Sequence, residues 1–339
     1  MGTFHIDRED IVKFDILGVG NALVDETFYV SREFVDSTGL NFNSFKPFSF
    51  EEQEQIISSV PGDQSPEVMC GGSTANSLAA ASNLGSVCGL ICQLGNDARG
   101  SLYEDNLKDN GIEPLNDFHH ESIKTGRCLV FITPNSERTM GTYLGASEKL
   151  VNNSIFISHA NNAKIIFSEG YQFTSDENYF AFLNILKGCS PEIKFALSLS
   201  DPGVVNAFRE RFEEVINIRN IDYLFCNQEE AIALGGQNFT EELKKVARNY
   251  VVTNGSESSI VFENNQFSKL DAYKVEALDS NGAGDIFAGA ALHIVNKGES
   301  FLEACKFGNY ASSIIVQEKS PRLTKDGYKG LSDNYKKSL

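Results

Sequence analysis

A chain of 339 residues, 41% of them hydrophobic, is long and apolar enough to bury a large core. Its formal charge of −17 argues against nucleic-acid backbones and anionic membrane surfaces as partners, since like charges repel, and favours small molecules. No run approaches the ~18 apolar residues that cross a bilayer, the amino-terminal MGTFHIDRED lacks the apolar stretch of a signal peptide, and the seven cysteines are odd in number and scattered among apolar neighbours; reduced thiols and a cytoplasmic location are expected.

From the amino end, residues 14–19 read as a strand, and residues 27–50, with β-branched and aromatic side chains around Thr38-Gly39, read as hairpin strands. A helix over 75–84, a strand over 87–94 and a helix over 101–110 follow, then a second hairpin-like segment over 128–144 around Pro134-Asn135. Beyond it, strands at 165–167, 194–199, 223–226 and 250–253 alternate with helices at 177–187, 228–234 and 241–248, before two long helices at 283–296 and 301–316. Such alternation predicts right-handed crossovers and an α/β fold: a mostly parallel central sheet with helices on both faces. Segments 27–50 and 128–144 are expected to form a small β-sheet lid inserted in a single unit spanning 1–339, with 325–339 as a loosely attached polar tail. A lid suits chemistry in which water would compete as a reactant.

The chemistry-bearing signal is Asp279-Ser-Asn-Gly282-Ala283-Gly284-Asp285, directly before the helix-like run. Small residues let a ligand approach the backbone, and the unpaired N–H groups and dipole of a helix amino terminus favour an anion there. Asp285, in the first turn, would take a proton from an attacking hydroxyl. The same residues also suit an ordinary glycine turn with Asp285 as a dipole-favoured residue. Further upstream, Asn21 and Asp25 follow the first strand, where a carboxylate and a carboxamide are suited to vicinal hydroxyls or to a plain solvated loop. Cys70-Gly71-Gly72-Ser-Thr-Ala-Asn76-Ser77 is a glycine turn entering an alanine-rich helix, with the Asn76 carboxamide able to donate and accept. Arg138, in Ser136-Glu137-Arg138, either brings positive charge to a phosphate or pairs with Glu137 or another carboxylate. Cys88 with Cys92, and His119 with His120, are read as structural rather than metal-binding. Gly18-Val-Gly20 lacks the third glycine of a dinucleotide fingerprint.

Gly282-Ala283-Gly284-Asp285 matches the carboxy-terminal signature of the PfkB, or ribokinase-like, carbohydrate kinases, and Cys70 to Ser77 resembles their amino-terminal signature; the resemblance spans almost the whole chain. It implies an ATP- and Mg²⁺-dependent kinase acting on a hydroxymethyl group, with Asp285 as base and Gly282, Ala283 and Gly284 as anion hole. By the same resemblance Asn21, Asp25, Gly71, Gly72 and Asn76 hold the sugar. Asn227 and Glu230 of Asn227-Gln-Glu-Glu230 organise Mg²⁺ largely through water, Thr253 and Gly255 lie over the ATP phosphates, and Asn309 belongs to the adenine-flanking helix.

Asn281, Gly20-Asn-Ala-Leu-Val-Asp25 and Phe307-Gly-Asn-Tyr-Ala-Ser-Ser resemble the adenosine kinase branch, which places an aromatic residue against the purine where Tyr171 stands; Leu40 and Phe42 are further candidates for covering a base. The chain departs from that branch at Ala75, where glutamine is common, and at Glu318-Lys-Ser-Pro-Arg322, which lacks the usual glycine near the monovalent-cation loop; base specificity and activation by K⁺ stay open. The rival readings are a kinase of free pentoses, hexoses or keto-sugar acids, and a non-catalytic nucleotide or sugar sensor. Monomer and homodimer, with a solitary or a shared lid, are both compatible with the sequence.

Overall fold

The computed structural model describes residues 13–40, 45–62, 64–115, 119–135 and 138–338. Phe42, Ser136 and Glu137 lie outside them. In chain order the strands are β1 (Phe14–Val19), β2 (Leu23–Tyr29), β3 (Phe45–Pro47), β4 (Glu67–Cys70), β5 (Cys88–Ile91), β6 (Ile112–Pro114), β7 (Gly126–Ile132), β8 (Arg138–Tyr143), β9 (Ala163–Glu169), β10 (Lys194–Ser198), β11 (Ile221–Asn227), β12 (Ala247–Thr253), β13 (Ser259–Glu263) and β14 (Gln266–Leu270).

Nine of these form one sheet in the order β14-β13-β12-β11-β10-β9-β1-β5-β6. Every pairing from β12 through β6 is parallel, and β13 and β14 add an antiparallel hairpin at one edge. Parallel strands buried on both faces should be continuously apolar, and β1 from Ile16 to Val19 and the middle of β9 are. Their alternate side chains divide between two cores. Leu17 and Ile166 join the layer containing Phe182, Val215 and Ala231, whereas Ile16 and Ile165 join the layer containing Ala79, Phe287 and Ala304.

The remaining strands form a second, smaller sheet in the order β3-β8-β7-β2-β4. It draws on more of the chain than segments 27–50 and 128–144, because β2 begins at Leu23 and Glu67–Cys70 supplies an edge. Asp25 and Glu26 disguised β2, whose burial nevertheless alternates residue by residue, and β4 exposes three of its four residues. Asp25 therefore stands on a strand, opposite Cys128 and Met69, rather than in a loop. One face of this sheet packs Phe28, Leu129 and Phe131 against Phe34, Val35 and Phe48; the other overlooks the carboxyl ends of the large sheet.

Three expectations at the secondary-structure level are corrected. Segment 27–50 is not a hairpin: β2 and β3 do not pair, and between them Ser31 caps a helix, Arg32–Ser37, that buries Phe34 and Val35. Residues 241–248 are not one helix: a short helix Phe239–Glu242 and a tight turn Leu243–Lys245 give way to β12, because pairing Ala247 with Ile221 and burying Leu243 outweighs local helix preference. The stretch 325–339 is not a loose tail. Lys325–Ser338 is a helix that seats Tyr328 and Leu331, at 1% and 2% exposure, on Ile286, Ala290, Phe307 and Ala311 of the two preceding helices.

Candidate active site

Five adjacent parallel strands of the large sheet, β1 and β9 to β12, end at one cavity of about 720 Å³, as expected of ligand sites beyond the carboxyl edge of parallel strands. Asn21 follows β1, Glu169 ends β9, Ser198 ends β10, Asn227 ends β11 and Thr253 ends β12. The second sheet forms the opposite wall. Arg138, Met140 and Thr142 alternate along β8 and all line the cavity, as do Leu23 and Asp25 of β2 and Cys128 of β7.

Asp285 lies in the first turn of the helix Ala283–Asn296, whose amino terminus has no side-chain cap and so leaves N–H groups unclaimed by the protein's own side chains. Gly282 enters that helix with φ of 76°, and a Cβ there would lie 2.5 Å from the Pro321 carbonyl oxygen, so only glycine fits. Both carboxylate oxygens of Asp285 are held by the neighbouring helix Ser73–Asn83: Ser73 Oγ donates to Oδ1 at 2.5 Å and Asn76 Nδ2 donates to Oδ2 at 2.8 Å. Burial raises the Asp285 pKa, opposed by those two hydrogen bonds and by Arg322.

A second carboxylate organises the other end of the site. Glu169, 1% exposed, accepts from the Asn21 backbone N–H at 3.1 Å and from Thr74 N–H and Oγ1 at 2.6 and 3.0 Å, tying the loop after β1 to the start of the helix Ser73–Asn83. That helix enters through Gly72, with φ of 95° and the Asn21 carbonyl oxygen 2.3 Å from where a Cβ would be. Burial pushes Glu169 up to about 7 and Asp25 up to about 6, the latter against the pull of Arg138 and Arg322. The oxygen of Asn21 accepts from Gln172 and Asn178 at 2.8 and 3.0 Å, leaving its amide N–H to face a ligand rather than a second acceptor.

Glu230 closes a capping box with Asn227: its oxygens accept from the Asn227 backbone and amide at 3.0 and 2.6 Å, while its own N–H donates to Asn227 Oδ1 at 2.9 Å. Burial, with Asp201, Glu229 and Asp285 nearby, pushes it up to about 7. Arg138 pairs with Asp279 at 3.4 Å, and its Nε is buried without a partner among the described residues.

The cavity thus unites Asn21, Asp25, Gly71, Gly72, Asn76, Arg138, Tyr171, Asn227, Glu230, Thr253, Gly282, Gly284 and Asp285. It does not include Ala283, Gly255 or Asn309: Gly255 lies in the turn beyond β12, and Asn309 donates to the Asp271 carbonyl at 2.9 Å. Ser73, Glu169, Asp201 and Arg322 were not singled out from the sequence. Ser73, adjacent to Gly71-Gly72, carried a usable positional signal; Glu169 and Arg322 acquire their partners only through contacts 95 or more residues distant.

The fold and this cavity define a phosphotransferase of ribokinase-like architecture. Residues 53–326 match the pfkB family carbohydrate kinase description, and the chain belongs to that family. It is 27% identical to adenosine kinase of Dictyostelium discoideum over 260 residues, covering 69% of this chain and 73% of that one. Among solved structures it resembles adenosine kinase from Sinorhizobium meliloti (TM-score 0.84, 25% identity, 97% of this chain and all of that one). It resembles equally a probable sugar kinase from Rhizobium etli CFN 42 (TM-score 0.84, 25% identity, 96% and 99% coverage).

Proposed function

We infer that the chain transfers the γ-phosphoryl group of ATP to the hydroxymethyl group of a nucleoside, adenosine being the first candidate. Asp285 takes the proton of the attacking hydroxyl, with Ser73 and Asn76 keeping its carboxylate in one orientation. N–H groups at Gly282 and Gly284 stabilise charge on the phosphoryl oxygens, while the Ala283 N–H donates to the Ser280 carbonyl at 3.2 Å. Asp25 accepts from the ribose diol while Asn21 donates. Asn227, Glu230 and Thr253 lie toward the triphosphate, and Arg138 leaves Asp279 to meet it. Gly255 and Asn309 stay outside this contact set.

The carboxyl groups of Asp201 and Glu230, which both line the cavity, are hard oxygen donors that fit a hydrated Mg²⁺, which when bound would offset triphosphate charge. Glu230, already engaged with Asn227, would act on it through water.

The observation that carries the nucleoside reading is the apolar part of the cavity lining: Leu23, Pro47, Met140, Leu144 and Val204, together with the part-exposed ring of Tyr171. A free sugar has no apolar face of that extent to cover, whereas a purine does. The test is ADP release with MgATP across adenosine, inosine, guanosine, cytidine, ribose, fructose and 2-keto-3-deoxygluconate, with and without K⁺. A preference for adenosine supports the reading, and preference for a free sugar overturns the choice of acceptor. The likeness to the Rhizobium etli sugar kinase, equal in TM-score, is what keeps free sugars in that panel.

A further inference from the structure

The segment after the last long helix of the large-sheet layer turns back toward the site. Pro321 packs under Gly282, and Arg322 reaches behind Asn76. Its Nε donates to Asn76 Oδ1 at 2.7 Å and its Nη1 donates to Asn106 Oδ1 at 2.7 Å, so the guanidinium is pinned between two carboxamides on different helices. Nη2 is buried with no partner among the described residues. A carboxamide has two faces that exchange by a flip. With Arg322 supplying only donors, the Asn76 oxygen must face Arg322 and its N–H₂ must face Asp285, where it donates at 2.8 Å. Arg322 itself does not line the cavity.

We propose that Arg322 is a positioning residue for phosphoryl transfer, locking the Asn76 carboxamide in the orientation that holds the Asp285 carboxylate and placing a positive charge behind that pair. The proposal rests on the kinase reading given above. Lysine would keep the charge but cannot present two fixed N–H vectors to Asn76 and Asn106 together. Among the groups acting on Asp285, Arg322 is the cation: Glu169, Glu230, Tyr171 and Tyr328 are the titratable groups whose own ionisation is coupled to it, and all are acids. Asp25 also feels Arg322, together with Arg138.

The experiment titrates the Asp285 carboxyl by ¹³C NMR in the wild type, Arg322→Met and Arg322→Lys, with the resonance assigned by its loss in Asp285→Asn; steady-state kinetics and melting curves are measured on the same samples. In Arg322→Met the proton-dissociation constant of Asp285 should fall about tenfold, and kcat should fall by up to about 100-fold with KM for MgATP unchanged. Arg322→Lys should titrate like the wild type yet still lose kcat. An Asp285 titration in folded Arg322→Met that matches the wild type overturns the proposal. If Arg322→Met does not fold, Arg322→Lys decides: wild-type kcat would reduce Arg322 to a structural role, and reduced kcat at an unchanged melting temperature would support positioning. A shifted Asp285 titration in a chain that transfers no phosphoryl group would uphold the Arg322–Asn76–Asp285 linkage and reject the kinase reading instead.

Discussion

Asn76 donates from Nδ2 to Asp285 Oδ2 at 2.8 Å across 209 residues of sequence, joining the two glycine-entered helices at the floor of the cavity. The bond, with that from Ser73, leaves Asp285 little rotational freedom, which is what a base aimed at one hydroxyl requires. Asp285→Asn should retain MgATP binding while kcat falls about 10²- to 10⁴-fold. Nucleotide titration and steady-state turnover on one preparation check this, and unchanged turnover removes Asp285 from the reaction.

Glu169 accepts three hydrogen bonds that no neutral isostere can all accept. In Glu169→Gln an amide N–H₂ must face a donor, at a cost of about 1–3 kcal/mol. The loops concerned carry Asn21 and Gly71-Gly72, so KM for the acceptor should rise about 10- to 100-fold while KM for MgATP stays near its wild-type value. Equal losses for both substrates would show that Glu169 supports the whole fold rather than the acceptor end.

Activity and stability should respond to pH in opposite directions. Asp25, pushed by burial to about 6, must be ionised to accept from a diol, so kcat/KM for the acceptor should fall as pH drops through about 6; an acid limb near the ordinary carboxylate value of 3.8 would contradict the burial argument. Glu230, raised from 4.5 to about 7, binds its proton more tightly folded than unfolded. Its contribution to stability is fully present below 4.5 and is lost as pH rises through 7. Melting temperature should decline across that window. The decline should be shallower in Glu230→Gln, which retains the capping box.

Tyr171→Ala should weaken a nucleoside by about 1–3 kcal/mol, the range for stacking on an aromatic ring, and leave KM for ribose unaltered. Competition by ribose against adenosine measures both. Equal losses for the two acceptors would assign Tyr171 to the wall of the fold and not to a base.

Leu331, 2% exposed in the helix Lys325–Ser338, lies in the layer containing Ile286 and Phe307. Leu331→Ala should cost about 2–5 kcal/mol, read as a lower midpoint in urea. A change within experimental error would restore the view of this stretch as a dispensable tail.

Local patterning decided much of this protein. The apolar run 14–19, the repeated alternation of strand and helix, and the glycine turns before Ser73 and Ala283 each carry their meaning within a dozen residues, because strand burial on both faces and an uncapped helix terminus leave a direct mark on composition. The second sheet was only partly legible. Asp25 and Glu26 interrupt the hydrophobic alternation of β2, and the edge strand Glu67–Cys70 is mostly exposed, so neither shows the usual strand signal. Helix propensity misled over 241–248, where a long-range parallel pairing prevailed, and polarity misled over 325–338, where two buried side chains per helix face suffice to dock it. Only the tertiary structure decided that Glu169 ties two loops together, that Arg138 faces Asp279, and that Arg322 stands behind Asn76. Each of these is a contact between residues far apart in the chain, whose partners are chosen by how sheets and helices pack and not by any neighbour in sequence.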